Sequence, residues 1–250
     1  MPGASVRVSA PLLLEAEDLR VSYGTFEAVR GVSFTLSKGE ILGIVGESGS
    51  GKSTIARTVM GLNKPSDGRL AVHAASVQMV FQDAVGSLNP RMTTRQTLAE
   101  VLKIKRNPQS PEDLLARVGL PNAVLDQYPR EMSGGQCQRV SIARALACRP
   151  DVLVADEPVS ALDVSVQARV LNILRDLRRE TGLAILLIAH DLAVVKNVCD
   201  TICVMQKGVF VDAGPAEQVF ANPASDYTRR LLDAVPDVAR ALAERREAAK

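Results

Sequence analysis

Long hydrophobic runs are missing from this 250-residue chain. The longest, residues 183–189, is bounded by Gly182 and by His190-Asp191, far short of the ~18 residues that cross a bilayer. Near the N-terminus only Arg7 and Pro11-Leu12-Leu13-Leu14 precede acidic residues, too short a core for a secretory signal. The chain is therefore expected to remain in the cytoplasm. A dominant charge is also missing. Net charge is +2, and residues 229–250, with six basic and four acidic side chains, account for all of it. No nucleic-acid surface is expected. Cysteines are few, at 137, 148, 199 and 203, with no Cys-x-x-Cys. That spacing predicts reduced, mostly buried thiols and excludes a cysteine metal site. His73 has no sequence partner and is expected on the surface or in a loop. Internal repeats and low-complexity blocks are absent as well. What remains, 46% hydrophobic and 23% charged, suits one large α/β domain with room for a smaller insertion.

The residues that are present begin to speak at Gly46-Glu47-Ser48-Gly49-Ser50-Gly51-Lys52-Ser53-Thr54. The spacing is Gly-x-x-x-x-Gly-Lys-Ser. Its glycines let the backbone curl and turn N–H groups inward, towards a polyphosphate. Residues 41–45 before it form a short apolar run, as a buried parallel strand would. Residues 53–62 after it are helix-forming up to Asn63 and Pro65. Strand, loop and helix together make a phosphate cradle with the helix's positive end aimed at the same point. Lys52 can reach β- and γ-phosphates, and the Ser53 hydroxyl can ligate Mg²⁺. Nucleotide binding follows.

Around this loop the pattern predicts strands at 14–23, 29–36, 70–72 and 77–81. Residues 83–150 then lose strand character. Helices are expected at 94–106 and 111–118, broken by Asn107-Pro108-Gln109-Ser110-Pro111, and residues 84–147 read as an inserted helical subdomain. Strands return at 152–156 and 183–189, separated by an amphipathic helix over 164–180 with apolar positions 166, 170, 173, 174 and 177. Asp191 caps a helix to about Val198. A strand pair spans 201–211, and short helices cover 215–221 and 225–234. The last ten residues are expected as a helix or a mobile end.

Phosphate loops serve many enzymes, so other segments must discriminate. Val152-Leu153-Val154-Ala155-Asp156-Glu157-Pro158 is an apolar strand ending in adjacent carboxylates. Consecutive strand side chains point apart, so they take different tasks: Asp156 suits the Mg²⁺ shell, and Glu157 could polarise the water that attacks a γ-phosphate. A plain acidic turn is the alternative. Met132-Ser133-Gly134-Gly135-Gln136 opens a second glycine-rich helix start, 80 residues beyond the first. It is either a second anion site or a simple helix cap.

Taken together, these segments resemble the nucleotide-binding subunit of an ATP-binding-cassette (ABC) transporter. Residues 132–136 are similar to that family's Leu-Ser-Gly-Gly-Gln signature, with Met132 in place of leucine. Tyr23 stands where the adenine-stacking aromatic does, Gln82 resembles the Q-loop glutamine, Ser160-Ala161-Leu162-Asp163 matches the D-loop, and His190 matches the switch histidine. The likeness covers about residues 14–235, with 236–250 as a tail. It implies a P-loop ABC-ATPase core with an antiparallel β subdomain and an inserted α-helical subdomain. Gly86-Ser87-Leu88-Asn89-Pro90, Tyr128-Pro129-Arg130-Glu131 and Tyr227-Thr228-Arg229-Arg230-Leu231-Leu232 further resemble the oligopeptide, dipeptide and nickel importer branch. Two features depart from it. Only 29 residues separate Lys52 from Gln82, so the antiparallel hairpin there should be trimmed. No cysteine cluster follows the core, so an iron–sulfur site is not expected.

The resemblance implies an ATPase that pairs head to tail with a second, identical or sister, subunit. ATP would lie between the phosphate loop of one and Ser133, Gly134, Gly135 and Gln136 of the other. Lys52 would neutralise phosphate charge. Ser53, Gln82 and Asp156 would hold Mg²⁺ or its waters. Glu157 would act as base, His190 would bond the γ-phosphate and steady Glu157, Asp163 would report across the dimer, and Tyr23 would stack on adenine. Integral membrane permease subunits, reached through the helical subdomain and the loop after Gln82, would carry the solute, with an extracytoplasmic solute-binding protein as an indirect partner. The expected place is the cytoplasmic face of the cell membrane. The competing expectation is a soluble ABC-type subunit of a non-transport assembly such as a carbon–phosphorus lyase system. ABC proteins of DNA repair and translation carry coiled-coil arms, zinc modules or paired cassettes, none of which this chain shows.

Overall fold

Two hydrophobic patterns build two sheets. In the computed structural model, which describes residues 10–160 and 162–234, the alternating segments β1 (Leu12–Tyr23) and β2 (Phe26–Ser37) pair antiparallel across a Gly24-Thr25 turn. The continuous apolar run β3 (Ile41–Val45) instead enters a different sheet, buried at every residue. A strand covered on both faces needs apolar groups on both. Helix α1 (Lys52–Val59) follows, and β4 (Asp67–Val72) returns to the free side of β1, giving the order β2-β1-β4.

The larger sheet takes β5 (Val77–Val80), β6 (Val152–Asp156), β7 (Ala184–Ala189), β8 (Thr201–Gln206) and β9 (Val209–Pro215) in the order β5-β6-β7-β3-β8-β9. All its pairings are parallel except β8 with β9, which closes one edge as an antiparallel hairpin. Alternate residues of β3 serve two cores. Leu42 and Ile44 pack with the antiparallel sheet and Ile55, Ala56 and Val59 of α1. Ile41 and Val45 join the core beneath the helices.

Between β5 and β6 no strand occurs. There α2 (Thr94–Ile104), α3 (Pro111–Arg117) and α4 (Gly134–Leu146) make the helical insertion. Thr93, Ser110 and Ser133 each begin one of these helices with a reciprocal capping box, which satisfies N–H groups the helix cannot pair itself. Helix α5 (Val164–Thr181) buries Val170, Leu174 and Leu177, and ends at Gly182 in the left-handed conformation, φ 68°. Helices α6 (Leu192–Val195), α7 (Ala216–Ala221) and α8 (Asp226–Asp233) complete the described chain.

The structure shifts some expected elements. The segment between Lys52 and Gln82 is trimmed to one strand of the antiparallel sheet, β4, because β5 pairs with β6 in the larger sheet. Strand β2 starts at Phe26, three residues before the alternation becomes legible. Helix α6 stops at Val195 rather than Val198, since Val198 and Cys199 both turn their N–H groups to the Val195 carbonyl. Cys137, Cys199 and Cys203 are buried, Cys148 is half-buried, and all are free thiols. Burial pushes the Cys203 thiol up to about 12. His73 follows β4 in a loop, half-exposed, 3.8 Å from Glu15. The expected end segment 236–250 and Ala161 lie outside the described residues.

Candidate functional site

The loop between β3 and α1 is pressed from two sides by backbone. A Cβ at Gly46 would collide with the Met205 carbonyl oxygen, and one at Gly51 with that of Ala28. Gly51 also sits at φ 110°, where a larger residue is strained. Lys52 is only 3% exposed. Its Nζ donates to the carbonyls of Gly46 at 2.7 Å and Glu47 at 2.8 Å, so the ammonium is folded into the loop. Burial lowers its pKa, against the opposing pull of Glu157, Asp156 and Glu47. No side chain caps α1. Its leading N–H groups, with their share of the helix dipole, are left for an anion.

Across the cleft β6 delivers the two carboxylates. Glu157 has φ 46°, a left-handed conformation rare outside glycine and a mark of functional strain. Its N–H is fixed to the Ile188 carbonyl at 3.0 Å. The turn separates the neighbours as strand geometry required. Asp156 accepts from the Ser53 hydroxyl at 3.0 Å, while Glu157 accepts from Gln82 Nε2 at 3.1 Å and lies 3.7 Å from His190 Nδ1. Burial pushes the Asp156 carboxyl up, with the Ser53 bond opposing and the Glu157 charge adding.

A cleft of about 590 Å³ unites these groups. Lys52, Ser53, Gln82, Glu157 and His190 line it together with Tyr23 and Phe26, and Asp156 is joined to it through the Ser53 hydroxyl. Tyr23 is 48% exposed and accepts from Asn63 Nδ2 at 2.8 Å. The curled glycines, the buried ammonium and the uncapped helix fit a nucleoside polyphosphate. Ser53 and Asp156 offer hard oxygen ligands. Among the described residues no cluster of His, Cys, Asp and Glu could hold a metal by itself.

Not every expected contact is made. Gln82 turns to Glu157 and to Ser160, at 3.3 Å, rather than to the Ser53–Asp156 pair. Ser133, Gly134, Gly135 and Gln136 lie elsewhere, at the start of α4. The Ser133 hydroxyl accepts from the Gln136 N–H at 3.3 Å and the Gln136 side chain accepts from the Ser133 N–H at 2.8 Å. Asp163 precedes α5, exposed, with no side-chain cap bond. Sequence reasoning passed over Phe26, gave Asn63 only as a helix stop, and gave Ser160 only as part of the D-loop match. For Phe26 a signal existed: it pairs with Tyr23 across a two-residue turn, so both rings fall on one side.

The family model described as ABC transporter covers residues 29–160. The oligopeptide transport ATP-binding protein OppF of Salmonella typhimurium is 44% identical over 260 residues, spanning 90% of this chain and 78% of that protein. Among solved structures, the fold is similar to the dimeric post-hydrolysis state of the ATP-binding cassette MJ0796 bound to ADP and Pi. The TM-score is 0.72 at 25% identity, over 82% of this chain and 99% of that one. It is also similar to cbiO1 from Clostridium perfringens, part of the ABC transporter complex cbiONQ. There the TM-score is 0.75 at 27% identity, over 93% of this chain and 99% of that one.

Proposed function

The chain belongs to the ABC transporter family, and on that premise we propose that it drives import of di- or oligopeptides. It is an ATP-binding, ATP-hydrolysing transporter subunit, with no helix among the described residues long and apolar enough to cross a membrane. We place the pore in separate permease subunits. The peptide assignment is supported by the 44% identity to OppF; nickel is the alternative cargo. We assign residues 14–235 to one nucleotide-binding domain, 84–147 to its helical insertion, and 236–250 to a tail. The working position is the cytoplasmic face of the cell membrane, with a solute-binding protein outside supplying the cargo.

The observation that carries the mechanism is the shared wall on which Lys52, Ser53, Gln82, Glu157 and His190 meet. Lys52, already desolvated, would exchange its loop carbonyls for phosphate oxygens. Ser53 and Asp156 would hold Mg²⁺, which on binding offsets charge on the β- and γ-oxygens. Glu157 would orient and deprotonate the attacking water. Its carboxylate is steadied by Gln82 and has His190 alongside. His190 and Gln82, both facing the cleft, would sense the γ-phosphate. Tyr23, with Phe26 beside it, would stack on the base. Ser133–Gln136 of a second subunit would close over the triphosphate. That contact is lost with the γ-phosphate, and differential binding of this kind is what moves a two-state assembly.

Glu157→Gln in the assembled complex tests the assignment. It should keep ATP binding and slow hydrolysis by about 100-fold or more. Full turnover would remove Glu157 from its role. Uptake of a labelled dipeptide should disappear with this subunit; loss of nickel uptake instead would reassign the cargo.

A further inference from the structure

The segment Tyr227-Thr228-Arg229-Arg230-Leu231-Leu232 lies on α8, distant in sequence from the phosphate loop, yet it touches that loop. The Tyr227 hydroxyl accepts a hydrogen bond from the backbone N–H of Glu47 at 3.1 Å. We propose that Tyr227 is a positioning residue of the ATPase, holding the phosphate loop in its nucleotide-ready curl before ATP arrives. This rests on the reading of that loop as the ATP site.

The anchorage is two-sided. Glu47 gives its N–H to Tyr227, and its carbonyl receives the Lys52 ammonium at 2.8 Å. A shift of Glu47 therefore shifts the resting place of Lys52. Elsewhere the loop is already fixed: the Ser50 carbonyl accepts from the Gly208 N–H at 2.9 Å, and Gly46 and Gly51 are wedged against backbone. Within the loop the Glu47 carbonyl also accepts from the Ser50 N–H at 3.2 Å, and Tyr227 adds a tether from outside it at the Glu47 N–H. Neither Tyr227 nor Glu47 lines the nucleotide cleft, so the hydroxyl acts through the loop and not on the ligand.

The tyrosine is itself rigidly delivered. It is 5% exposed. The Asp212 carboxylate accepts from the Ala224 N–H at 2.8 Å, and the Ser225 hydroxyl caps α8 by accepting from the Thr228 N–H at 3.0 Å. Thr228 is fully buried. Burial also raises the phenol's pKa above its ordinary value, so the group stays neutral at working pH.

Without the hydroxyl, the Glu47 N–H loses its partner. Only part of the population then holds the competent loop, and apparent affinity falls by that fraction. Tyr227→Phe keeps the ring and its packing. For the full chain, its Kd for MgATP should rise about 5- to 20-fold, the worth of one buried hydrogen bond. In the assembled complex, kcat at saturating ATP should stay within about twofold. Amide hydrogen exchange of the nucleotide-free chain should accelerate over 46–51 and stay unchanged over 226–233. Unchanged affinity, or exchange accelerated throughout α8, overturns the proposal, the second because a loosened helix then explains the loss. Lys52→Ala is measured alongside. If it binds MgATP normally, the ATP-site reading fails; if it does not bind while Tyr227→Phe matches wild type, only the positioning role fails.

Discussion

Helices α1 and α4 both start at a glycine-rich turn, but the two starts are finished differently. Helix α1 begins behind Gly51 at φ 110° with no side-chain cap, in a cleft that holds the Lys52 ammonium. Helix α4 begins at Ser133, exposed, with both members of its capping box in place. One helix start is built around a partner the chain does not supply; the other supplies its own. An uncapped start surrounded by a buried cation gains most from a polyanion and is suited to primary binding. A self-capped, exposed start needs no ligand to be stable and can add a contact late, when a second surface is brought up to it. From this contrast we propose an order for the two motifs: the phosphate loop first, the Ser133 end afterwards.

The contrast breaks most readily at Lys52. Lys52→Ala should lower affinity for MgATP by about 100-fold or more and abolish turnover, because among the described residues no other buried cation lines the cleft to replace its charge; calorimetry and phosphate release check both. Near-normal binding would place the primary site elsewhere. Ser133→Arg tests the other start. It should lower ATPase activity of the assembled complex by about 100-fold while leaving the isolated chain's affinity within about threefold. A parallel loss of both would erase the difference between the helices.

Smaller effects concern stability. Burial raises the Asp156 pKa, so the folded chain keeps that proton to higher pH than the unfolded chain. Stability contributed by this group therefore falls as pH rises from the unfolded value of about 3.9 through the raised folded value, and the full cost is present at neutral pH. Asp156→Asn removes the charge, and its amide oxygen can still accept from Ser53. The nucleotide-free Tm at pH 7 should rise by about 2–4 °C. That gain should shrink as acid protonates wild-type Asp156, and the Mg²⁺-dependent stabilisation by ATP should be lost. A lower Tm at pH 7 would contradict the burial account. Ser133→Ala removes a cap worth about 1 kcal/mol and should lower Tm slightly. An unchanged Tm would mean the capping box contributes nothing to α4.

The sequence revealed most where one pattern dominates locally. The apolar run at 41–45 and the run at 152–155 with Asp156 at its end match β3 and β6 residue for residue, because a strand covered on both faces is apolar along its length and takes a polar group only where it leaves the sheet. The phosphate loop and the carboxylate pair were legible from spacing and His190 from the family resemblance; Lys52, Ser53, Glu157 and His190 line one cleft, with Asp156 bonded to Ser53. Phe26 was harder to see: Thr25-Phe26-Glu27 shows no clear alternation at the strand's start. The turning of Gln82 towards Glu157 and Ser160, and the tether between Tyr227 and Glu47, were beyond sequence reasoning. Both depend on how segments 75 or more residues apart are packed, and no local pattern encodes that.

In the proposed assembly ATP is enclosed by two subunits, the cleft of one and the Ser133 end of the other. Orthovanadate trapped with ADP in place of the γ-phosphate tests it directly in the assembled transporter, since irradiation cuts the backbone that the vanadate touches. The account predicts cuts both within residues 46–53 and at Ser133, the latter absent from the isolated chain. Cuts confined to 46–53 in the assembled complex would contradict it.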